Sequence, residues 1–226
     1  MPKTIVIATP HGRYDALESA LRRNFRVERL REQTALSLAR LAAINPDYVF
    51  FPHWSWIIPA TIHEKFPCVI FHMTDLPFGR GGSPLQNLIM CGVRTTKITA
   101  LKCTAELDAG PVYLKKPLPL DGTAEEIFAS AAVLMEEMIQ SIVMQNIQPQ
   151  PQTGEPTFFT RRKPEEGDLI QAATLKKVYD MIRMLDAEGY PHAFVTVGDL
   201  RFEFSGAKMS GQSVEARVKI VIGDKS

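Results

Sequence analysis

The sequence predicts an α/β fold built on a mainly parallel sheet with helices on both faces, followed by a small C-terminal α+β segment. Three observations predict it. Short apolar runs alternate with helical patterns through the first 144 residues, one long amphipathic helix ends this region, and a further helix with two or three short strands follows. Parallel strands need a connection of helical length, so this alternation favours a Rossmann-like sheet.

The predicted strands of the first region are continuous apolar runs, which are typical of strands buried on both faces. The first strand, Ile5–Ala8, ends at a turn containing Pro10 and Gly12, and a helix then runs to about Asn24. A second helix is predicted over residues 34–43. The later predicted strands are Tyr48–Phe51, Pro67–Phe71, Lys97–Cys103 and Gly110–Leu114.

A long helix is predicted from Thr123 to Gln145. Thr123 and Glu126 have the spacing of a capping box, and apolar residues recur along one face. Residues 145–156 are rich in Gln and Pro, so we expect them to run extended over the surface. These patterns predict a first domain at residues 1–144, an extended linker at 145–171 and a small subdomain at 172–226.

The last 55 residues, 172–226, predict one amphipathic helix, Leu175–Leu185, and a group of short strands. The predicted strands are Ala193–Val197, Leu200–Phe204 and Val214–Ile222. A segment of this size rarely builds an enzyme core by itself. We interpret it as a support, a lid or a subunit contact, and its apolar strands are compatible with a homodimer.

The charge balance argues against a nucleic-acid partner. Lys and Arg number 26 and Asp and Glu number 25, which gives a formal net charge of +1. Affinity for a nucleic-acid backbone comes from clustered Lys and Arg, and no such block is present. The composition therefore favours a small-molecule partner.

The sequence carries no signal that we interpret as a membrane or export segment. The N-terminal apolar run is short and reads as a strand rather than as a signal peptide. No apolar stretch approaches the roughly 20 residues that cross a bilayer. The cysteines Cys68, Cys91 and Cys103 show no paired spacing. We therefore expect a cytoplasmic protein without membrane contact.

The richest chemistry follows the predicted strand that ends at His72. In parallel sheets, ligands bind outside the carboxyl ends of the strands. A loop with three glycines follows His72, and a helix begins near Pro84. Histidine suits proton transfer or carbonyl polarisation, and glycine permits close backbone approach. The loop lacks the Walker and dinucleotide-binding spacings, which argues against triphosphate hydrolysis and hydride transfer.

A second candidate is Asp108, in the turn Leu107–Gly110 between two predicted strands. Aspartate in such a turn usually hydrogen-bonds its own backbone, so by itself it indicates a structural role. The other histidines lie on separate segments without the spacing of metal ligands. They are His11, His53, His63 and His192. We therefore predict no metal.

Together the two segments, HMTDLPFGRGGSPLQ from His72 to Gln86 and LDAG from Leu107 to Gly110, resemble the 10-formyltetrahydrofolate-dependent formyltransferases. That family includes methionyl-tRNA, glycinamide ribonucleotide and sugar N-formyltransferases. The resemblance extends to residues 51–59, 161–167 and 182–194, and so covers most of the chain. It implies that 10-formyltetrahydrofolate is the co-substrate.

The resemblance also assigns the catalytic pair. In formyl transfer a neutral amine attacks the formyl carbon, an oxyanion forms, and the folate nitrogen leaves with a proton. His72 would stabilise the oxyanion or carry the proton, and Asp108 would orient His72 and accept positive charge from the amine. One position departs from the family pattern Asn-x-His-x-Ser, because Ile70 replaces the Asn and Thr74 replaces the Ser.

Ile70 cannot donate a hydrogen bond to the formyl oxygen, as the Asn of the family pattern would. This missing donor leaves two interpretations open. Another group can supply the hydrogen bond, with Asn87, Ser83 and Ser55 as candidates, or the site catalyses more slowly. Two sets of binding residues are expected, the first from the resemblance for the segment 85–90 and the second from the chemistry of the aromatic side chains and the glycine loop. Cofactor binding is expected at Gly79, Leu85, Gln86, Asn87, Ile89 and Met90. Substrate binding is expected at Trp54, Trp56, Arg80, Gly81, Gly82 and Ser83.

The expected acceptor is the amine of a nucleotide-linked amino sugar. Transfer-RNA enzymes of the family carry a longer, basic C-terminal domain, whereas only about 55 residues follow the linker here. Cations available for a diphosphate are Arg13, Arg94, Lys97, Arg161 and Arg162. The alternatives are an aminoacyl group, for example on a carrier protein, another small amine, or a catalytically weakened folate- or nucleotide-binding protein.

Overall fold

The computed structural model describes residues 2–223. Within them the strands are β1 (Thr4–Ala8), β2 (Arg26–Leu30), β3 (Tyr48–Phe51), β4 (Cys68–His72), β5 (Arg80–Gly81), β6 (Thr95–Lys102), β7 (Val112–Pro119), β8 (Phe158–Phe159), β9 (Ala193–Val197), β10 (Leu200–Ser210) and β11 (Ser213–Ile222). The α-helices are α1 (Asp15–Leu21), α2 (Leu38–Ile44), α3 (Ala60–His63), α4 (Pro84–Met90), α5 (Ala124–Met144) and α6 (Leu175–Leu185).

The chain divides into two compact units. The first, unit 1, comprises the described residues up to Gly81 together with Thr96–Leu118 and Phe128–Phe158. The second, unit 2, comprises Gly82–Thr95, Pro119–Ile127 and the described chain from Phe159 onward. The chain passes between the units several times. The sequence-based domains at 1–144 and 172–226, with the linker at 145–171, stay a prediction.

The main sheet has six strands in the order β2-β1-β3-β4-β6-β7. β1 pairs in parallel with β2 and β3, and β3 pairs in parallel with β4, whereas β4 and β6 are antiparallel. The apolar residues Ile5–Ala8 of β1 are fully buried, as expected for a strand covered on both faces. The predicted fold class, a mainly parallel Rossmann-like sheet with a small C-terminal α+β segment, is confirmed.

The register of β4 and β6 decides where the next loop begins. Val69 lies opposite Lys102, and His72 lies opposite Thr99, so β6 ends beside the start of β4. The loop after β6 therefore begins beside the first residues of β4, at the opposite end of that strand from His72. The amide of Cys103 donates to the carbonyl of Cys68 there, at 2.9 Å.

α5 begins with the capping box that its sequence predicts. The amide of Glu126 donates to Thr123 Oγ1 at 3.3 Å, and the amide of Thr123 donates to Glu126 Oε2 at 2.8 Å. Our expectation about apolar stretches was wrong for this helix. Among residues 2–223, α5 is long and apolar enough to cross a bilayer by length and composition. Half of that apolar window is buried within the protein, as in the core helix of a folded domain.

Unit 2 contains the small antiparallel sheet β11-β10-β9 and the helices α4 and α6. The predicted helix and strands of this region are confirmed, and β10 continues to Ser210, beyond its predicted end. Gly198 and Asp199 make the predicted hairpin turn, with Gly198 at a positive φ of 57°. Arg183 on α6 anchors a neighbouring loop by donating to the carbonyls of Leu120 at 2.6 Å and Gly122 at 3.0 Å.

Gly110 is required by the close approach of two backbone segments. A Cβ atom at this position would lie 1.8 Å from the carbonyl oxygen of Lys102, which is a backbone atom and cannot rotate away. We expect Gly110→Ala to lower the free energy of unfolding by about 3 kcal/mol or more, measured by urea denaturation. Gly12→Ala is the control, since its nearest contact would be Asp15 Oδ2 at 3.9 Å. Equal stability of the two variants would contradict the prediction.

Candidate active site

His72 is the last residue of β4, and only 6% of it is exposed. Its Nε2 lies 2.7 Å from the carbonyl oxygen of Gly79, and its Nδ1 lies 3.5 Å from Asp108 Oδ2. A carbonyl oxygen can only accept, so Nε2 carries a hydrogen and donates it. A buried imidazole with oxygen atoms facing both ring nitrogens is arranged to hold and transfer a proton.

Asp108 meets His72 because the loop after β6 folds back. That loop starts beside Cys68, yet the Asp108 carboxylate reaches the ring at the other end of β4. Asp108 has a left-handed backbone, with φ at 52°, which aspartate tolerates better than most residues. Its Oδ2 also accepts from the amide of Gly81 at 2.9 Å. One carboxylate oxygen therefore joins the glycine loop to the histidine.

The glycine loop is braced by Arg80, which is 8% exposed. Its guanidinium donates to Glu106 Oε1 at 3.0 Å and to Gln152 Oε1 at 2.9 Å. The side chain of Gln152 donates in turn to the carbonyls of Asp108 and Gly110. Gln152 was not among the residues predicted from the sequence, because the Gln- and Pro-rich composition around it indicated only a linker. A substrate contact for Arg80 stays a prediction.

An apolar side chain, that of Ile70, stands where the family pattern has a hydrogen-bond donor, and two threonine hydroxyls lie nearby along the chain and the sheet. Ile70 packs against the core of unit 1 and has no polar side-chain atom. Thr74 Oγ1 donates to the carbonyl of Gly79 at 3.3 Å, beside the bond from His72. Thr99 Oγ1 donates to the carbonyl of Thr74 at 2.6 Å, which fixes this end of the strand.

The proposed substitutes for the missing donor have other contacts or lie on an exposed loop. The side-chain amide of Asn87 donates to the carbonyls of Gly82 at 3.1 Å and Thr160 at 3.0 Å. Ser83 Oγ accepts from the amide of Arg162 at 3.1 Å. Ser55 is exposed on the loop after β3. Asn87 therefore already uses both of its amide hydrogens within unit 2.

The residues expected to bind the cofactor divide between the units. Gly79 lies in unit 1, and the other five lie on α4 in unit 2. On α4, Leu85 and Ile89 are buried, and the Gln86 side chain donates to the carbonyl of Met184 at 3.1 Å. Met90 is partly buried. Their part in cofactor binding stays a prediction.

The residues expected to bind substrate divide in the same way, with Gly82 and Ser83 in unit 2 and the others in unit 1. Gly82 is tightly packed, since an added Cβ would lie 2.6 Å from the Cβ of Arg161. Trp54 and Trp56 lie edge to face with ring centroids 4.8 Å apart. Within residues 2–223, the buried indole N–H of Trp54 has no hydrogen-bond acceptor. A role for the two tryptophans in substrate binding stays a prediction.

Two of the cations expected to meet a diphosphate already have carboxylate partners. Lys97 Nζ lies 2.9 Å from Asp75 Oδ2, and Arg162 Nη2 lies 3.0 Å from Glu166 Oε2. Arg13 lies over the ring of Phe128, 4.9 Å from its centroid. Such partly exposed ion pairs are weak, so these cations can exchange partners, and their contact with a diphosphate stays a prediction.

His53 lies beside a second histidine at the end of β3. The rings of His53 and His11 have centroids 4.6 Å apart. Burial, followed by the charges of His11 and Arg13, lowers the pKa of His53 from 6.5 to about 3. The ring is therefore neutral at physiological pH. Its backbone φ of 53° lies in the left-handed region.

Similarities to known proteins cover most of the chain. The family model described as "Formyl transferase" matches residues 8–142, and the model described as "Methionyl-tRNA formyltransferase, C-terminal domain" matches residues 164–221. A solved structure of a methionyl-tRNA formyltransferase from Clostridium thermocellum has a TM-score of 0.93 and 45% identity, covering 98% of this chain and 100% of that chain. A curated methionyl-tRNA formyltransferase from Thermodesulfovibrio yellowstonii is 25% identical over 82% of this chain. The chain spans 64% of that relative's length.

Two further solved structures show the fold alone, because their identity is low. HypX from Aquifex aeolicus, in complex with tetrahydrofolic acid, has a TM-score of 0.77 at 19% identity and covers 92% of this chain and 38% of its own. A sugar N-formyltransferase from Shewanella has a TM-score of 0.67 at 14% identity, and each chain is 99% covered.

The lowered pKa of His53 predicts a pH-dependent stability. In the unfolded chain the ring of His53 is protonated below about pH 6.5, whereas in the folded protein it stays neutral down to a pH of about 3. The free energy of unfolding therefore falls as the pH is lowered through this window. Between pH 7 and pH 5 the wild type should lose about 2 kcal/mol more than His53→Asn, measured by urea denaturation. Asparagine accepts the positive φ. Parallel curves of stability against pH would contradict the assignment.

Proposed function

The chain belongs to the formyl transferase family, and from this premise we propose that it is an N-formyltransferase that moves a formyl group from 10-formyltetrahydrofolate to the amine of an aminoacyl group. The observation that carries the proposal is the buried pair of His72 and Asp108 beside the glycine loop. Such a pair supplies the proton transfer and charge balance that acyl transfer to an amine requires.

The residues fit a formyl donor. Nε2 of His72 donates to the carbonyl oxygen of Gly79 at 2.7 Å. The same N–H can donate to a formyl oxygen when the Gly79 carbonyl moves away from the ring. Asp108 faces Nδ1 and offsets positive charge on the ring or on the attacking amine. The acceptor amine must arrive neutral, because only the neutral nitrogen has a lone pair for the formyl carbon.

The choice of acceptor rests on the relatives. The Clostridium thermocellum structure, named for methionyl-tRNA, is 45% identical over nearly the whole chain, whereas the sugar enzyme from Shewanella is 14% identical. This difference favours an aminoacyl amine over the nucleotide-linked amino sugar that we expected from the sequence. The near-neutral charge suggests that contacts concentrate at the aminoacyl end rather than along a long nucleic-acid backbone.

A panel of acceptors tests the proposal directly. The full chain is incubated with 10-formyltetrahydrofolate and, separately, with methionyl-tRNA, a carrier-bound aminoacyl thioester, and UDP- or dTDP-linked amino sugars. A gain of one formyl group on the aminoacyl amine, read by mass spectrometry, is the expected result. Formylation of a sugar alone would overturn the choice of acceptor. Absence of transfer to every acceptor, with folate still bound, would favour a binding protein.

Removal of either member of the pair should abolish most of the transfer. We expect His72→Asn and Asp108→Asn each to lower kcat on the order of 100- to 10,000-fold, because each removes a group that handles the proton or the charge. Steady-state rates with the active acceptor measure the effect. Asp199→Asn is the matched control, since Asp199 is exposed in the hairpin turn between β9 and β10. Unchanged turnover in both active-site variants would remove the site assignment.

A further inference from the structure

We propose that Gln152 is the positioning residue that holds Asp108 against His72. The inference rests on the proposed function and extends it to a residue outside both family motifs. Gln152 lies in the Gln- and Pro-rich segment after α5, which the sequence alone presents as a passive linker. Every contact that carries the inference lies within unit 1.

The amide of Gln152 forms a clamp on the Asp108 turn. Its Nε2 donates to the carbonyl of Asp108 at 2.8 Å and to the carbonyl of Gly110 at 2.9 Å. Its Oε1 accepts from Arg80 Nη2 at 2.9 Å. Carbonyl oxygens only accept and a guanidinium only donates, so the partners permit one orientation of the amide. Both amide hydrogens and the amide oxygen of Gln152 therefore have partners.

The turn needs a clamp because its backbone conformation is unfavourable. Asp108 has a φ of 52°, a region that costs free energy for a residue with a Cβ. Gly110 is pressed so closely on Lys102 that no side chain fits. The two carbonyls that Gln152 binds flank this constrained stretch. If they were released, the turn could relax and carry the Asp108 carboxylate away from the ring.

Gln152 is itself held on both sides. Two residues earlier, Gln150 pairs with Val112 at the start of β7, with bonds of 2.7 and 2.8 Å between their backbones. On the other side, Arg80 is fixed by Glu106 Oε1 at 3.0 Å. The side chain of Gln152 therefore connects the glycine loop to the Asp108 turn, and the backbone pairing of Gln150 ties the same segment to the start of β7.

Two substitutions distinguish the bonds from Gln152 to the carbonyls of Asp108 and Gly110 from its bond with Arg80. Gln152→Ala removes every side-chain contact. Gln152→Glu keeps an oxygen for Arg80 and adds charge to that bond, but it replaces the donor with an oxygen that faces two carbonyls. Gln148→Ala is the matched control, because Gln148 is exposed in the same segment and its side chain donates to the nearby carbonyl of Asn146 at 3.0 Å.

The expected result is a loss of kcat without a loss of binding. Both Gln152 variants should lower kcat on the order of 100-fold, the effect of displacing a reacting group by about 1 Å, with little change in the KM for the folate donor. Gln148→Ala should match the wild type. Wild-type kcat in Gln152→Glu would show that only the contact with Arg80 matters and would overturn the proposal, as would a rise in KM at constant kcat.

A second measurement does not depend on turnover. The Gly81 amide donates to Asp108 Oδ2, so its hydrogen exchange reports the place of the carboxylate. Exchange at Gly81 should be faster in both Gln152 variants than in Gln148→Ala, and unchanged exchange would refute the clamp. If the wild type transfers no formyl group but exchange responds as expected, the proposed function fails while the positioning role stands.

Discussion

The contact between the Asp108 carboxylate and the His72 ring is the interaction on which the candidate site depends. The two residues leave the sheet from strands that run in opposite directions, so the chain must fold back to join them. A buried carboxylate needs compensating hydrogen bonds, and the amide of Gly81 provides one. The glycine loop is thereby held by the same oxygen that faces the histidine.

The electrostatic influence of this carboxylate reaches beyond the histidine. Burial and then the charge of Asp108 raise the pKa of the Cys103 thiol to about 11, so Cys103 stays neutral beside the turn. Arg80 places a guanidinium in the glycine loop, and Glu106 and Gln152 hold it there. Oriented charges in a buried setting interact strongly, which suits a site that must stabilise developing charge.

Much of the fold follows from local patterns. The buried strands β1, β3 and β4, the capped helix α5 and the helix α6 appear where apolar periodicity and the Thr123 cap predict them. His72 was predicted as a site residue from its place at a strand end, and Asp108 from its motif; the structure brings these two side chains together. Gln152 was missed, because its role depends on carbonyls 42 and 44 residues away in the chain, which composition does not report. The nucleotide-sugar acceptor was argued from net charge and tail length, which describe no specific contact.

The sequence by itself determined the strand and helix pattern and the fold class, because burial periodicity and capping are local properties. It predicted the two chemical groups of the candidate site only through the resemblance of their motifs to a known family. Only the tertiary structure decided that β4 and β6 are antiparallel, that the Asp108 turn folds back, and that a linker glutamine clamps it. These features come from hydrogen bonds and close approaches between distant segments. Such contacts form only when the chain folds and brings these segments together.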